Sequence, residues 1–425
     1  MAVTQRVVMA PAGLGPSDAR TLARNAAALF AGQVVGLVVP LATIPYLARV
    51  LHPEGWAPVL VAQALGSWLI VMLEYGFDLS GTRAVARARH EPGSVPDVVR
   101  GVQSAKLMLV PVAALALVAA FFAVPSLRAH REMLAWTLAF AILRGLNPFW
   151  FFQGIERVQG AVAVESVTKA LAALGVFVVV KDPADGWRVL ALQAVFAAVS
   201  LGILTRWMAN VAPLRTPSLK AGVAALRRSW VIFAFRASSG LYIQANALVL
   251  SVLGSPMTIA TFGGGERVIR AAINLLQPLT QALFPRVSFL SAADPATARR
   301  FIMRCLLWIG LFGGVMGLVA LAGAPLLVRV FLGPDYEPAI PVIRALAALP
   351  PLVAVNTVFG LYWAVPFGHE QAFFKTVIGA ALVDIVLAFV LVPRWGALGM
   401  CGAVVGAEVF VTFAVVTLYL RATPR

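Results

Sequence analysis

Apolar residues along this chain fall into long runs that are separated by short polar segments. A helix that crosses a lipid bilayer needs about 20 mainly apolar residues. Twelve runs of that kind occur, at approximately residues 25–47, 57–77, 105–125, 133–153, 160–181, 187–208, 229–253, 257–284, 302–324, 338–366, 371–393 and 397–420. The pattern predicts an all-α polytopic membrane protein with about twelve transmembrane helices.

Composition supports the same class of protein. Over 425 residues the chain is 60% hydrophobic and 12% charged, and its mean hydropathy is +0.88. That is more apolar sequence than a soluble core requires. The net charge of +16 would suit nucleic acid, but the basic residues lie between the apolar runs and form no patch with interleaved aromatic residues. We therefore expect no nucleic-acid partner.

The basic residues predict the topology. Cytoplasmic loops of membrane proteins are enriched in lysine and arginine. With the N-terminus placed inside, 21 of the 34 basic residues fall in inside segments and 7 in outside loops. This asymmetry favours twelve spans with both termini in the cytoplasm.

Loop lengths argue against an enzyme. The predicted outside loops have roughly 4–14 residues, and the longest inside links, around residues 78–104, 209–228 and 285–301, are too short to fold as catalytic domains. A membrane glycosyltransferase, polysaccharide ligase or polymerase would need a large outside loop or an acidic catalytic cluster, and neither is evident. We expect the activity to lie within the membrane.

A proline-containing basic segment divides the runs into six and six. The predicted organisation is a cytoplasmic tail at residues 1–20, an N-terminal lobe at 21–208, a basic cytoplasmic linker at 209–228 and a C-terminal lobe at 229–425. Transporters are commonly built from two such halves, with the substrate site between them near the middle of the membrane.

Ten charged residues lie well inside the apolar runs, five or more residues from either end. The bases are Arg144, Lys169, Arg236, Arg267, Arg270 and Arg344, and the acids are Glu165, Glu266, Asp384 and Glu408. Each charge at this depth costs about 2.5 to 3.5 kcal/mol, so an interior that serves a function is the first interpretation. Glu165 with Lys169, and Glu266 with Arg270, have the spacing of ion pairs on one helix face.

The remaining bases outnumber the remaining acids, and this surplus suits an anionic ligand. Arginine presents a planar fork that holds phosphate oxygens in pairs. We therefore predict a cationic, substrate-binding cavity between the lobes, formed by the six bases. The alternative, that these side chains reach to the membrane surface or tie helices together, stays open.

Cofactor and metal sites are not predicted. Cys305 and Cys401 both lie in apolar runs, which supports neither a disulfide framework nor a thiolate metal site. The four acids in the apolar runs are candidates for coupling transport to a proton or a sodium ion.

Several short segments resemble a known family. They are Pro45–Trp56, Gly76–Arg83, Trp150–Glu156 with the run that holds Lys169, and more faintly Phe284–Ser288 and Leu332–Tyr336. They are similar to bacterial oligosaccharide-lipid flippases of the Wzx type, within the multidrug, oligosaccharidyl-lipid and polysaccharide exporter superfamily. His52 departs from the pattern, because the family usually has glycine there, and Trp56-Ala57 replaces the usual aromatic-glycine pair.

The resemblance implies two six-helix bundles in a V, as in multidrug and toxin extruders, which open alternately to the two sides of the inner membrane. It implies a flippase that moves undecaprenyl-diphosphate-linked oligosaccharide units to the periplasmic leaflet for O-antigen or exopolysaccharide synthesis. Membrane lipid, a polysaccharide polymerase and a chain-length protein are the implied partners.

Two related exporters remain as alternatives. A multidrug antiporter would carry cations and would want an acidic interior, whereas the six bases and four acids give a basic one. A peptidoglycan-precursor flippase would also want cations, but fourteen helices would be expected there.

Overall fold

The computed structural model describes residues 16–89, 91, 93–123, 128 and 130–422, with side chains described from residue 24 onward except at 123, 235, 238–245 and 282. Within these ranges nearly every residue is helical and no strand is present. The prediction of an all-α chain is confirmed. Most of the predicted cytoplasmic tail lies outside the described residues.

Seven α-helices form the first half of the described chain. They are α1 Pro16–Glu74, α2 Phe77–Ala88, α3 Val95–Ala123, α4 Arg131–Gly145, α5 Phe149–Gly154, α6 Val158–Val179 and α7 Gly186–Val211. A 3₁₀ turn, Pro183–Asp185, precedes α7.

Seven more α-helices form the second half of the part that the structure describes. They are α8 Leu219–Leu253, α9 Pro256–Asn274, α10 Leu276–Ala293, α11 Pro295–Phe331, α12 Ala339–Leu346, α13 Leu349–Asn356 and α14 Glu370–Ala422. A 3₁₀ turn, Pro334–Tyr336, precedes α12, and π-helical residues Thr357–Ala364 follow α13.

The two longest helices each contain a break. In α1 the backbone of His52 has φ 52°, which separates the predicted runs 25–47 and 57–77. In α14 the break is at Gly396, also with φ 52°. A β-carbon on Gly406 would lie 2.8 Å from Leu387 Cδ1, and one on Gly379 would lie 3.2 Å from Phe410. The two halves of α14 therefore pack against each other in opposite directions.

Seven helical segments in the described ranges are long and apolar enough to cross a membrane. They are Arg24–Ala88, Val95–Phe122, Val158–Val179, Pro183–Val211, Pro295–Phe331, Ala339–Ala364 and Glu370–Ala422. The first has 65 residues and the last has 53, far more than the roughly 20 that one crossing requires. The chain is thus a multi-pass membrane protein, while the number twelve stays a prediction.

The segment between the predicted lobes is shorter than the sequence suggested. α7 continues to Val211 and α8 begins at Leu219, so residues 212–218 alone lie outside helices. This connection is held against α3: Arg100 Nε donates to the Thr216 carbonyl at 2.8 Å, and Ser218 N donates to Ser104 Oγ at 2.9 Å. The division into two lobes itself stays a prediction.

At two glycines α11 closely approaches α13 and the residues between α12 and α13. A β-carbon on Gly313 would lie 2.7 Å from the Pro350 carbonyl oxygen, and one on Gly317 would lie 2.6 Å from the Ala347 carbonyl oxygen. Small residues four apart allow membrane helices to pack backbone against backbone. This contact fixes the short helices of the second half against α11.

We predict that Gly313→Val destabilises the protein by about 1 to 3 kcal/mol, because the new side chain overlaps the α13 backbone. The measurement is the thermal midpoint of the purified protein in detergent. Gly314→Val is the matched control, since a β-carbon there meets no atom within 4 Å. Equal midpoints for the two variants would contradict this account of the packing.

Candidate functional site

A cavity of about 480 Å³ lies among helices α1, α4, α6, α7 and α9. The charged side chains that line it are Arg144, Glu165, Lys169, Arg267 and Arg270. The structure therefore brings four of the six predicted cations to one cavity. Helix α9 belongs to the predicted C-terminal lobe and the other four helices to the predicted N-terminal lobe.

Glu165 is the centre of one wall. Its carboxylate is buried and accepts hydrogen bonds from Arg144, from Asn147 Nδ2 at 2.8 Å and from Ser200 Oγ at 2.7 Å. Lys169 Nζ lies 3.7 Å away. The predicted pair of Glu165 with Lys169 is present, but Arg144 shares the same carboxylate. The single carboxylate of Glu165 therefore pairs with two cations.

Arg267 and Arg270 occupy the wall formed by α9. Arg267 Nη2 donates to Gln63 Oε1 on α1 at 2.6 Å, and its guanidinium carbon lies 5.8 Å from the centre of the Trp56 ring. Among the described residues no carboxylate lies within 4.0 Å of this guanidinium. Arg270 forms the predicted pair with Glu266, at 2.8 Å.

The cavity is lined by both cationic and apolar side chains. Four cations and one carboxylate line it, and in a low-dielectric interior such charges act strongly on a ligand. Leu47, Val176 and Val189 contribute apolar surface. The arrangement suits a molecule that joins an anionic group to an apolar one.

Two predicted cations lie elsewhere. Arg344 is on the exposed face of the short helix α12, whose buried face is formed by Val342, Ile343 and Leu346. Arg236, on α8, is paired with Asp78 of α2 and its side chain is 46% exposed. Neither lines the cavity. Sequence spacing could not show this, because the partner of Arg236 is 158 residues away.

Three of the four predicted acids also lie outside the cavity lining. Glu266, the partner of Arg270, accepts a hydrogen bond from Asn246 Nδ2 at 3.4 Å. Glu408, on α14, accepts from Asn356 Nδ2 at 2.6 Å. Asp384, also on α14, is only 2% exposed, and its Oδ1 has no hydrogen-bond partner among the described residues.

Further contacts join the predicted lobes. Arg49 Nη2 donates to the carbonyl of Val330 at 2.5 Å, and His52 Nδ1 lies 2.7 Å from Asp335 Oδ2. The Tyr75 and Phe233 rings stack with centres 4.2 Å apart. These contacts hold α1 and the segment that follows it against α8, α11 and the turn before α12.

Sequence reasoning missed several residues of the site. Gln63, Asn147 and Ser200 are uncharged and looked like ordinary polar residues of apolar runs. Lys106 was assigned to an inside loop, but it is 2% exposed within α3. Its position just inside the predicted run 105–125 was the available signal.

Solved structures identify the class of fold. The chain is similar to the lipid II flippase MurJ in an inward closed conformation, with TM-score 0.72 and 12% identity over 94% of this chain and 87% of that one. It is also similar to an inward-facing multidrug resistance MATE family transporter of the MOP superfamily, with TM-score 0.66 and 14% identity over 94% and 97%. The fold prediction is confirmed: this is a multi-pass membrane protein with the fold of MOP superfamily transporters.

Sequence comparisons identify the family. The model of the polysaccharide biosynthesis protein family matches residues 22–291, and the chain belongs to that family. A protein of Escherichia coli (strain K12) with the provisional name of O-antigen transporter is 27% identical over 92% of this chain and 95% of its own length. A protein of Shigella dysenteriae with the same name is 26% identical over 91% and 97%. The relatives are transporters by name, which confirms the prediction that the chain is not an enzyme.

We predict that Glu165→Gln lowers stability by about 1 to 3 kcal/mol, because hydrogen bonds to a charged acceptor are lost and Arg144 and Lys169 lose the carboxylate that pairs with them. Thermal unfolding in detergent measures the loss. Glu337→Gln, at an exposed position, is the matched control. A Glu165→Gln protein as stable as this control would show that the carboxylate does not hold the wall together.

Proposed function

We propose that this protein is a flippase that moves undecaprenyl-diphosphate-linked oligosaccharide units from the cytoplasmic to the periplasmic leaflet of the inner membrane, for synthesis of a surface polysaccharide such as O-antigen or exopolysaccharide. The observation that carries the proposal is the cavity in which four cations face one carboxylate. The proposal also places both termini in the cytoplasm.

The geometry suits a lipid diphosphate. Arg267 has a neutral oxygen and an aromatic ring as neighbours, so its charge is available to an anion. Arg144 and Lys169 share one carboxylate and keep a net positive charge between them. A diphosphate between the two walls would contact both predicted lobes, and arginine forks hold such oxygens in pairs. The apolar side chains of the lining would then contact part of the lipid.

The family and its relatives support this substrate class. Membership of the polysaccharide biosynthesis protein family and 27% identity to a protein named as an O-antigen transporter favour a lipid-linked glycan over a drug. The cationic lining also disfavours an antiporter of cations. A polysaccharide polymerase and a chain-length protein, which would act on the delivered units, are part of the proposal.

Transport would proceed by alternating access and gain energy from the membrane potential. Moving negative charge out of a negative cytoplasm gains about 2.3 kcal/mol per charge per 100 mV. The roughly two charges of a diphosphate therefore gain about 4 to 5 kcal/mol. No other cofactor is proposed, apart from a coupling proton or sodium ion held by Glu165, Glu266, Asp384 or Glu408.

The sidedness of undecaprenyl-diphosphate-linked oligosaccharide in inner membranes tests the function. Cells that lack the protein should trap this lipid on the cytoplasmic face, and cells that express it should not. If the lipid reaches the outer face normally in the deletion strain, with other flippases removed, the proposed substrate is wrong.

Arg267→Gln is predicted to lower transport at least tenfold, because it removes a cavity cation that has no carboxylate within 4.0 Å among the residues that the structure describes. The assay is the fraction of lipid-linked oligosaccharide that remains on the cytoplasmic face. Arg344→Gln, an identical change at an exposed position outside the cavity, should leave transport within twofold. Equal effects of the two changes would show that the cavity charge is not used.

Asp384→Asn is expected to abolish any dependence of transport on a proton or sodium gradient, since a buried carboxylate whose Oδ1 has no hydrogen-bond partner among the described residues is suited to bind a cation. Flux in vesicles with imposed gradients is the measurement, and Glu370→Gln at the exposed start of α14 is the control. If transport by the unaltered protein ignores both gradients, the coupling proposal is to be dropped.

A further inference from the structure

Lys106 is a buried lysine in the first half of the chain. It lies in α3, its side chain is 2% exposed, and no carboxylate of the described residues is within 4.0 Å of its Nζ. A buried cation is strongly disfavoured when no negative charge or hydrogen bond compensates it. A methionine of similar length would fill the same volume without that cost, so the lysine needs an explanation beyond packing.

Two carbonyl groups bind the Lys106 ammonium. Nζ donates to the carbonyl oxygen of Gly145 at 2.7 Å and to that of Asn147 at 3.2 Å. Gly145 is the last residue of α4, and the end of a helix leaves carbonyl groups unpaired and partially negative. The ammonium therefore donates hydrogen bonds to carbonyl groups at the C-terminus of α4, where the helix is interrupted before α5 begins.

The side chain of Asn147 connects this break to the cavity. Its Oδ1 accepts from Phe149 N at 3.0 Å, and its Nδ2 donates to Glu165 Oε1 at 2.8 Å and to Ser200 Oγ at 3.1 Å. Arg144 stands in the last turn of α4 and contacts the same carboxylate. Both groups that hold Glu165 from this side thus depend on where α4 ends.

We infer that Lys106 is a positioning residue for the anion-binding wall of the cavity. Its hydrogen bonds fix the backbone at Gly145 and Asn147. They thereby keep the Asn147 side-chain amide hydrogen-bonded to Glu165 and orient Arg144 toward the cavity. Lys106 itself does not line the cavity. The inference rests on the proposed function only where transport is concerned. The position of the break is a property of the protein alone.

Hydrogen exchange of the full-length protein in nanodiscs tests the structural part. In Lys106→Met, amides of residues 146–152 should exchange at least tenfold faster, while residues 376–390 of α14 keep their rate. Lys375→Met, the same change at an exposed lysine, should alter neither region. If Lys106→Met does not accumulate, Lys106→Gln replaces it with the same expectation, because its shorter side chain does not reach the two carbonyls. Unchanged exchange at residues 146–152 would overturn the inference.

A double-variant experiment tests whether Lys106 acts through Asn147. Lys106→Met and Asn147→Ala should each lower transport about tenfold, and the double variant should be no worse than either, because both remove the same constraint. Lys106→Met combined with Arg270→Gln should multiply the two losses. If the transport losses of Lys106→Met and Asn147→Ala multiply in the double variant, the inference is overturned.

The two proposals fail in distinguishable ways. If the unaltered protein does not transport undecaprenyl-diphosphate-linked oligosaccharide, the proposed function is wrong, and the exchange rates of residues 146–152 alone decide the role of Lys106. If transport occurs and those amides are unaffected by Lys106→Met, the flippase stands and the positioning role is wrong.

Discussion

The carboxylate of Glu165 is the interaction on which the cavity depends. In an apolar interior a charge persists only where other groups compensate it. Arg144, Asn147 and Ser200 donate to this carboxylate and Lys169 stands beside it. It thereby joins α4, α6 and α7 and still leaves a net positive charge on their common wall. The same group that stabilises the helices also makes the cavity attractive to an anion.

The second cationic wall comes from α9, which approaches from the other half of the chain. Arg267 contacts Gln63 and Trp56 of α1 across the boundary of the predicted lobes. A ligand with two phosphate groups would bind both walls and replace contacts that now hold them together. Binding and movement of the halves would then be coupled through the same arginine, as a carrier with two alternating openings requires.

Much of the fold followed from the order of the residues, because a spanning helix must be apolar along its length. The breaks at His52 and Gly396 separate runs that the sequence already divided. Within the predicted linker 209–228 only residues 212–218 lie outside helices, since polar residues at helix ends are as compatible with a helix as with a loop. The pairs Glu165 with Lys169 and Glu266 with Arg270 were predictable because four residues bring side chains to one helix face.

The sequence by itself determined the class of protein, the surplus of cations within the apolar runs and the local pairs, since these depend on composition and on spacing within one helix. Tertiary structure alone decided which cations share a cavity. It placed Arg144 beside Glu165 and Arg267 beside Gln63, and it left Arg344 on an exposed face. The physical reason is that contacts between helices depend on how each helix is rotated about its axis, which the packing of neighbouring helices sets.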